Sequence, residues 1–361
     1  MEEAQIIAVT GYYFTGSSAV IGLFQEFDNT TVFGIPDEKY TATKTTNSSE
    51  VTFFSNGILF HLVEKYFKGS ELEQDFWIKK FINLIYRAYD NKNISGWDKS
   101  PFFYTDSFLS ACTNFLYSVL DLDDFTLNFM KTRRFPTTLY TKDTIFEKCS
   151  FIYGEGRQRY IFYRFKKMAS KDFEQELSKM IDGLFSISSK PYLIFDQIFN
   201  TCTGLDPCEF VNKYKTGKPI KNICVYRDPR DAYVAAFKAN YVIEPVSEKI
   251  VQSYKNRLIS EHLKDKNPNR LMINFNDLVL KYDETIKKIL DFTGIAPVHH
   301  VAPRSVFDPE ISKVTIGAYK EFMDQDLMEK IKEGLPEYYP SEQNNKTFFS
   351  KIKKIFKFGK S

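Results

Sequence analysis

Histidine and cysteine are scarce in this chain, and their placement excludes more chemistry than it offers. The four histidines, His61, His262, His299 and His300, do not fall at the spacing of a metal-binding motif, so no metal is expected. His299 and His300 follow Pro297 in a loop, where a surface position is the ordinary expectation. The five cysteines, Cys112, Cys149, Cys202, Cys208 and Cys224, are odd in number and form no C-x-x-C pair. Cys202 and Cys208 lie close together but lack the second pair or neighbouring histidine that a metal or redox site needs. A reduced compartment is the simplest reading. No window approaches the roughly 18 consecutive apolar residues of a membrane-spanning helix. The start, "MEEAQIIAVTG", has neither the basic n-region nor the apolar run of a secretory signal. A cytoplasmic protein is expected.

The chain also lacks a strong charge of either sign. Its net charge of +3 includes six lysines in the last segment, "KTFFSKIKKIFKFGKS", which carries no acid, so the rest is net acidic. A nucleic-acid binder needs its basic footprint across the folded surface, and nucleic acid is not an expected partner. Within residues 346–361, Phe348, Phe349, Ile352, Ile355 and Phe356 recur at helical spacing, with Lys351, Lys353, Lys354 and Lys357 on the other side. Such a segment suits an anionic membrane surface, which would place the protein peripherally on the inner membrane face. It equally suits a solvated tail or a helix packed on its own domain. Aromatics are abundant, with 35 Phe and 22 Tyr, so a single aromatic residue says little about binding and most are expected in the core.

At 361 residues the chain is long enough for one large domain with an insertion or for two domains. Strands are expected at Ile6 to Val9, in "TTVFGIPDE" ending at Asp37 and Glu38, at Tyr192 to Asp196, at Asn222 to Tyr226 and at Arg270 to Phe275. Helices follow the first of these through about Glu26, then near Pro207 to Tyr214, from about Pro229, in "VSEKIVQSYKNRLISEHL", and in "DETIKKILDFTGI", capped by Asp283 and ended by Gly294. Between them, from about Gly57 to Ser186, the pattern is mainly helical and aromatic, clearest in "SELEQDFWIKKFINLIYRAY" and "SFLSACTNFLYSVLDL". The expected class is α/β: a parallel sheet flanked by helices, with a long helical insertion. Residues 1–56 and 187–340 would form the core, 57–186 the insertion or cap, and 341–361 the basic tail.

The carboxyl ends of such strands are where ligands bind. The first strand runs into "GYYFTGSS", Gly11 to Ser18, a glycine-containing loop that opens a helix and presents main-chain N–H groups to an anion. The lysine of a nucleotide-hydrolysing loop, G-x-x-x-x-G-K-[ST], is missing, and Ser17 takes its place. The strand "YLIFD" ends in Asp196-Gln197, and "NICVY" ends in Arg227-Asp228-Pro229-Arg230-Asp231. Pro229 can open a helix there, with Asp231 balancing its dipole. An arginine at such a strand end also suits a phosphate, since its planar fork binds an oxyanion through two parallel hydrogen bonds.

In order, "TGYYFTGSS", "VYRDPRDAYVAAF", "LMINFNDLVLKYDETIKKILDFTGI" and "SKVTIGAYK" resemble the P-loop sulfotransferases, especially bacterial carbohydrate sulfotransferase-like proteins. The likeness spans the first forty residues and about Tyr192 to Tyr338, and R-D-P-R-D is its most specific part. It implies 3′-phosphoadenosine 5′-phosphosulfate as sulfuryl donor, with Gly11, Thr15, Gly16, Ser17 and Ser18 on the 5′-phosphosulfate end and Arg227, with Arg230 nearby, on the 3′-phosphate. The final motif, often R-K-G-x-x-G-x-W-K in that family, keeps Lys313, Gly317, Tyr319 and Lys320 as a loop closing over the nucleotide.

Four positions depart from the family pattern. Phe14 replaces the usual loop cation, Ala235 a serine, and Ser312 and Val314 replace Arg and Gly. Lys313, Arg230 or a lysine of the insertion would have to supply the missing positive charge. For the acceptor's base, Asp196 is the first candidate and Glu38 the second. The acceptor implied is a hydroxyl of a carbohydrate, a cell-envelope glycan or its lipid-linked precursor. Two other readings stand beside this one: a P-loop kinase or NTPase with Asp196 on magnesium, and a fold relative that binds nucleotide or glycan without catalysis.

Overall fold

The computed structural model describes residues 3–11, 14–33, 54, 57–90, 105–121, 150–153, 157–160, 163–187, 190–199, 207–239 and 267–335. Five strands form a parallel sheet: β1 (Gln5–Gly11), β2 (Thr30–Phe33), β5 (Tyr192–Asp196), β6 (Lys221–Tyr226) and β7 (Arg270–Asn274), in the order β2-β5-β1-β6-β7. Two further strands, β3 (Ser150–Tyr153) and β4 (Arg157–Tyr160), pair antiparallel as a separate hairpin. The runs "IIAV", "LIF" and "ICV" are continuously apolar rather than alternating, as strands covered on both faces require, and all of these residues are buried. The α/β class read from the sequence is the one observed.

The chain divides into two compact units. The first holds residues 1–8, 29–201 and 205–222. Its helices are α2 (Ile58–Lys68), α3 (Glu71–Asp90), α4 (Asp106–Val119), α5 (Ser170–Leu184) and α6 (Pro207–Tyr214). Phenylalanines fill its core: Phe81, Phe108, Phe115 and Phe173 lie in one buried cluster with Leu62, Leu177 and the strand residues Ile6 and Leu193. The register of β2 on β5 sets Phe33 opposite Phe195, and their rings stack with centroids 4.9 Å apart. Asp75, buried in α3, is answered by Lys79 Nζ at 2.6 Å and by the main-chain N–H of Tyr163 at 2.7 Å, which ties the chain after the hairpin to the helices. Glu3 pairs with Lys215 in the same way at the N-terminus.

The second unit holds residues 9–28, 202–204 and 223–361. It contains α1 (Ser17–Gln25), α7 (Pro229–Lys238), α8 (Phe275–Leu280), α9 (Tyr282–Thr293), α10 (Pro309–Ser312) and α11 (Gln325–Gly334). Asp283 does not cap α9: it lies within the first turn, where the helix dipole favours it, and the residue before the helix, Lys281, gives no side-chain cap. Gly294 does end that helix, in the left-handed conformation. The strand expected over "TTVFGIPDE" is described as Thr30–Phe33, while Asp37, Glu38, the helix "VSEKIVQSYKNRLISEHL" and the tail 341–361 lie outside the described residues.

His300 is not the surface residue its loop suggested. Its ring stacks on Phe27, with centroids 4.4 Å apart, and its Nε2 lies 2.7 Å from Glu26 Oε2. Glu26 is 1% exposed, and its carboxylate also accepts the main-chain N–H groups of Arg304 at 3.0 Å, Val306 at 3.1 Å and Phe307 at 2.8 Å. One buried carboxylate at the end of α1 therefore holds the whole 300–307 turn. Glu26→Gln turns one acceptor oxygen into a donor facing N–H groups, and is expected to lower unfolding free energy by about 3 kcal/mol, read as a lower urea midpoint at unchanged slope.

Candidate functional site

The loop after β1 is wound tightly enough to require its glycines. A Cβ on Gly11 would lie 2.7 Å from Thr15 Oγ1 and 2.9 Å from Ser17 Cβ, so the returning turn rests against a bare main chain. Gly16 has φ 96°, and a side chain there would collide with the ring of Phe275. Gly16 is also the N-cap of α1, where it offers no side-chain acceptor, and the first turn of that helix contains no acid. The positive pole of α1 thus meets no cap side chain and no first-turn acid, which is the arrangement that favours an anion. Thr15 and Ser17 are buried within this turn and Ser18 is exposed.

The end of β6 is built differently. Asp228 is the N-cap of α7, accepting from the N–H of Arg230 at 2.9 Å, and Pro229 occupies the first turn. Asp228 caps the helix, and Asp231 lies in its first turn, where the dipole favours a carboxylate as the sequence suggested. The Asp231 carboxylate, 2% exposed, also accepts the main-chain N–H of Gly317 at 2.8 Å and of Tyr319 at 3.2 Å. Burial pushes its carboxyl above the usual range, while those two bonds and Arg227 pull it back.

Arg227 is 4% exposed. Its Nη2 donates to the carbonyl of Thr315 at 2.6 Å and lies 4.0 Å from Asp231 Oδ2, and its guanidinium carbon stands 4.7 Å from the centre of the Phe275 ring. Arg230 pairs with Asp228 at 2.6 Å and stacks 3.7 Å from the centre of the Tyr319 ring. R-D-P-R-D thus grips "SKVTIGAYK" with three side chains. Phe275, touching both Gly16 and Arg227, links that grip to the glycine loop.

Of the other expected site residues, Lys313 lies on the gripped segment, but its Nζ is 2.6 Å from each oxygen of Glu310. Phe14, at the family's cation position, has φ 52° and packs on the cluster containing Ala232, Val234 and Met328. Asp196 ends β5 in the first unit, half-buried, with Oδ1 enclosed and unbonded. Burial raises its carboxyl from 3.8 to about 7, partly offset by a hydrogen bond from Gln197. Glu38 lies outside the described residues. Among the described residues, no three His, Cys, Asp or Glu gather as a metal site, and no helix is long and apolar enough to cross a membrane.

No protein-family model matches the chain, and no curated protein does. Among solved structures it is similar to the sulfotransferase domain of the olefin synthase of Synechococcus PCC 7002, at 10% identity, covering 99% of this chain and 96% of that domain, with a TM-score of 0.33. A score of that size does not bear on activity.

Phe275 and Thr315 carry no functional signal in the sequence: one is among 35 phenylalanines, and the other contributes only its main chain. The raised carboxyl of Asp196 yields a signed prediction. The folded state holds this proton more tightly than the unfolded chain, so its stabilising contribution is complete below pH 3.8 and is lost as pH rises through about 7. Asp196→Asn should therefore melt progressively higher than the parent protein as pH is raised from 4 to 8; a difference that stays constant with pH would refute the shift.

Proposed function

We propose that the chain is a sulfotransferase that uses 3′-phosphoadenosine 5′-phosphosulfate and acts on a hydroxyl of a carbohydrate, such as a cell-envelope glycan or its lipid-linked precursor. The observation that carries this reading is the meeting, within one compact unit, of the uncapped start of α1, Arg227, and the segment after Ser312, all joined through Phe275 and Asp231. A donor with phosphate at both ends needs two anion sites of different character. Main-chain amides at Gly16 to Ser18 suit the 5′-phosphosulfate, and a planar guanidinium suits the 3′-phosphate.

Sulfuryl transfer, like phosphoryl transfer, asks the protein chiefly to align donor and acceptor and to stabilise the departing oxygen. On its chemistry alone Asp196 is the candidate base: a carboxyl held near 7 divides its population between acid and base at neutral pH. Lys313 is the candidate cation for the departing oxygen, and serves only once it leaves Glu310. The acceptor class rests on the resemblance of the motifs, and a role for 346–361 at an anionic membrane rests on its sequence alone.

Calorimetry separates the readings. Tight binding of 3′-phosphoadenosine 5′-phosphate without metal, weakened about a hundredfold by Arg227→Ala and about tenfold by Arg227→Lys in variants that still melt cooperatively, supports the proposal. Preference for ATP with magnesium would replace it with a kinase or NTPase.

A second reading, a relative that binds donor without transferring sulfate, is favoured by one observation: Phe14 is committed to apolar packing where a cation would stand. Phe14→Lys should raise sulfate transfer to a responsive glycan by about a hundredfold if the missing cation limits turnover. Donor binding with no transfer by either protein across a glycan panel would favour the second reading.

A further inference from the structure

Residues 312–322 pair with no strand among the described residues. They form two short 3-10 turns, Lys313–Thr315 and Ala318–Glu321, joined through Gly317 at φ 73°. The far end is held by apolar contact, with Phe322 set edge-on to Tyr233 at 5.8 Å and to Phe237 at 5.2 Å. At the near end Pro309 is buried, while Ile311 and Val314 are exposed at 74% and 79%. Between the ends, Ala318 and Tyr319 pack on the apolar cluster, Arg230 stacks on the Tyr319 ring, and the turn is fixed by the Arg227 bond to the Thr315 carbonyl and the two Asp231 bonds to Gly317 and Tyr319.

We propose that Asp231 is the positioning residue of the donor site: each carboxylate oxygen takes one main-chain N–H of the 315–319 turn and thereby sets the Thr315 carbonyl against Arg227. Only the identity of the ligand rests on the sulfotransferase reading. Asp231 touches no phosphate in this scheme. It fixes which edge of the guanidinium is engaged by the protein and which is presented to an anion, because the Thr315 carbonyl takes Nη2 only while the turn is held. Two separate acceptors are needed, one for each N–H: Oδ2 serves Gly317 and Oδ1 serves Tyr319. An asparagine supplies one and opposes the other N–H with a donor.

The test uses the full chain, with hydrogen exchange read by mass spectrometry and 3′-phosphoadenosine 5′-phosphate titrated by calorimetry. Asp231→Asn should speed exchange in peptides covering 315–319 by about tenfold, leave those covering 325–334 unchanged, and weaken the nucleotide about tenfold. Gly317→Ala places a side chain in the left-handed region without touching the buried carboxylate, and should give the same local signature even where Asp231→Asn fails to fold. In the double variant the losses should be less than additive.

Unchanged exchange at 315–319, or faster exchange there with unaltered nucleotide affinity, overturns the positioning role. Failure of the parent protein to bind the nucleotide overturns the donor reading instead, and exchange alone then decides whether Asp231 holds the turn.

Discussion

A guanidinium taken out of water has to be met by acceptors on the protein, and Arg227 imposes that condition on everything around it. Its five donors remain charged at any pH a protein meets, so burial cannot be relieved by losing a proton. The Thr315 carbonyl, the Asp231 carboxylate and the face of Phe275 are the described answers. Each has its own consequence. Thr315 can accept only if its segment is held, which requires Asp231. Phe275 can lie under the guanidinium only if the residue beside it has no side chain, which requires Gly16. Three motifs far apart in sequence are thus conditions on one buried charge.

The two helix starts in this unit show how the chain distinguishes structure from opportunity. At α7 the chain closes the helix itself, with Asp228 as cap and Pro229 in the first turn, and the ordinary stabilisation of about 1 kcal/mol from such a cap is taken. At α1 it declines the same stabilisation, setting a left-handed glycine at the cap and no acid in the first turn. A cap side chain at α1 would compete with any anion for the same amides. The difference between these two helices is therefore chemical as well as conformational, and under the proposed reading α1 would be the place where a negative group from outside the chain is received.

Much of this was legible in the sequence, for physical reasons that differ by element. Strands β1, β5 and β6 are buried on both faces, so they appear as unbroken apolar runs that no helix period explains. Pro207 and Pro229 open their helices because proline lacks the N–H that a first turn leaves unsatisfied. Gly11 and Gly16 announced a tight turn. What stayed hidden depends on distance along the chain or on main-chain groups: the Phe275 ring against Gly16, the Thr315 carbonyl, and the amides of Gly317 and Tyr319. Asp231 does lie in the first turn of α7, as the sequence suggested, but its bonds to Gly317 and Tyr319 stayed hidden because those amides lie more than 80 residues away. Glu26 and His300 were missed for the same cause, since the four groups that meet Glu26 lie more than 270 residues away.

Phe14 gives the clearest separation between binding and turnover. A non-glycine residue in the left-handed region costs about 1–2 kcal/mol, and packing on the Ala232, Val234 and Met328 cluster offsets it. The position is thereby committed to the apolar core of its unit, while the anion-facing work of the loop falls to main-chain amides. Amides act on a bound phosphate in the ground state as well as during reaction. A loop cation contributes most when charge builds on the departing oxygen. Under the proposed reading, exchanging one for the other would preserve affinity for a doubly anionic nucleotide and remove selective stabilisation of the transition state, so donor affinity by itself would say little about rate. Of the two lysines on the gripped segment, Lys313 and Lys320, the candidate cation Lys313 is held by Glu310 at 2.6 Å. Under the proposed sulfotransferase reading, turnover would depend on whether an arriving donor outcompetes that exposed carboxylate, a contest between two anions for one ammonium that the more highly charged phosphate is favoured to win.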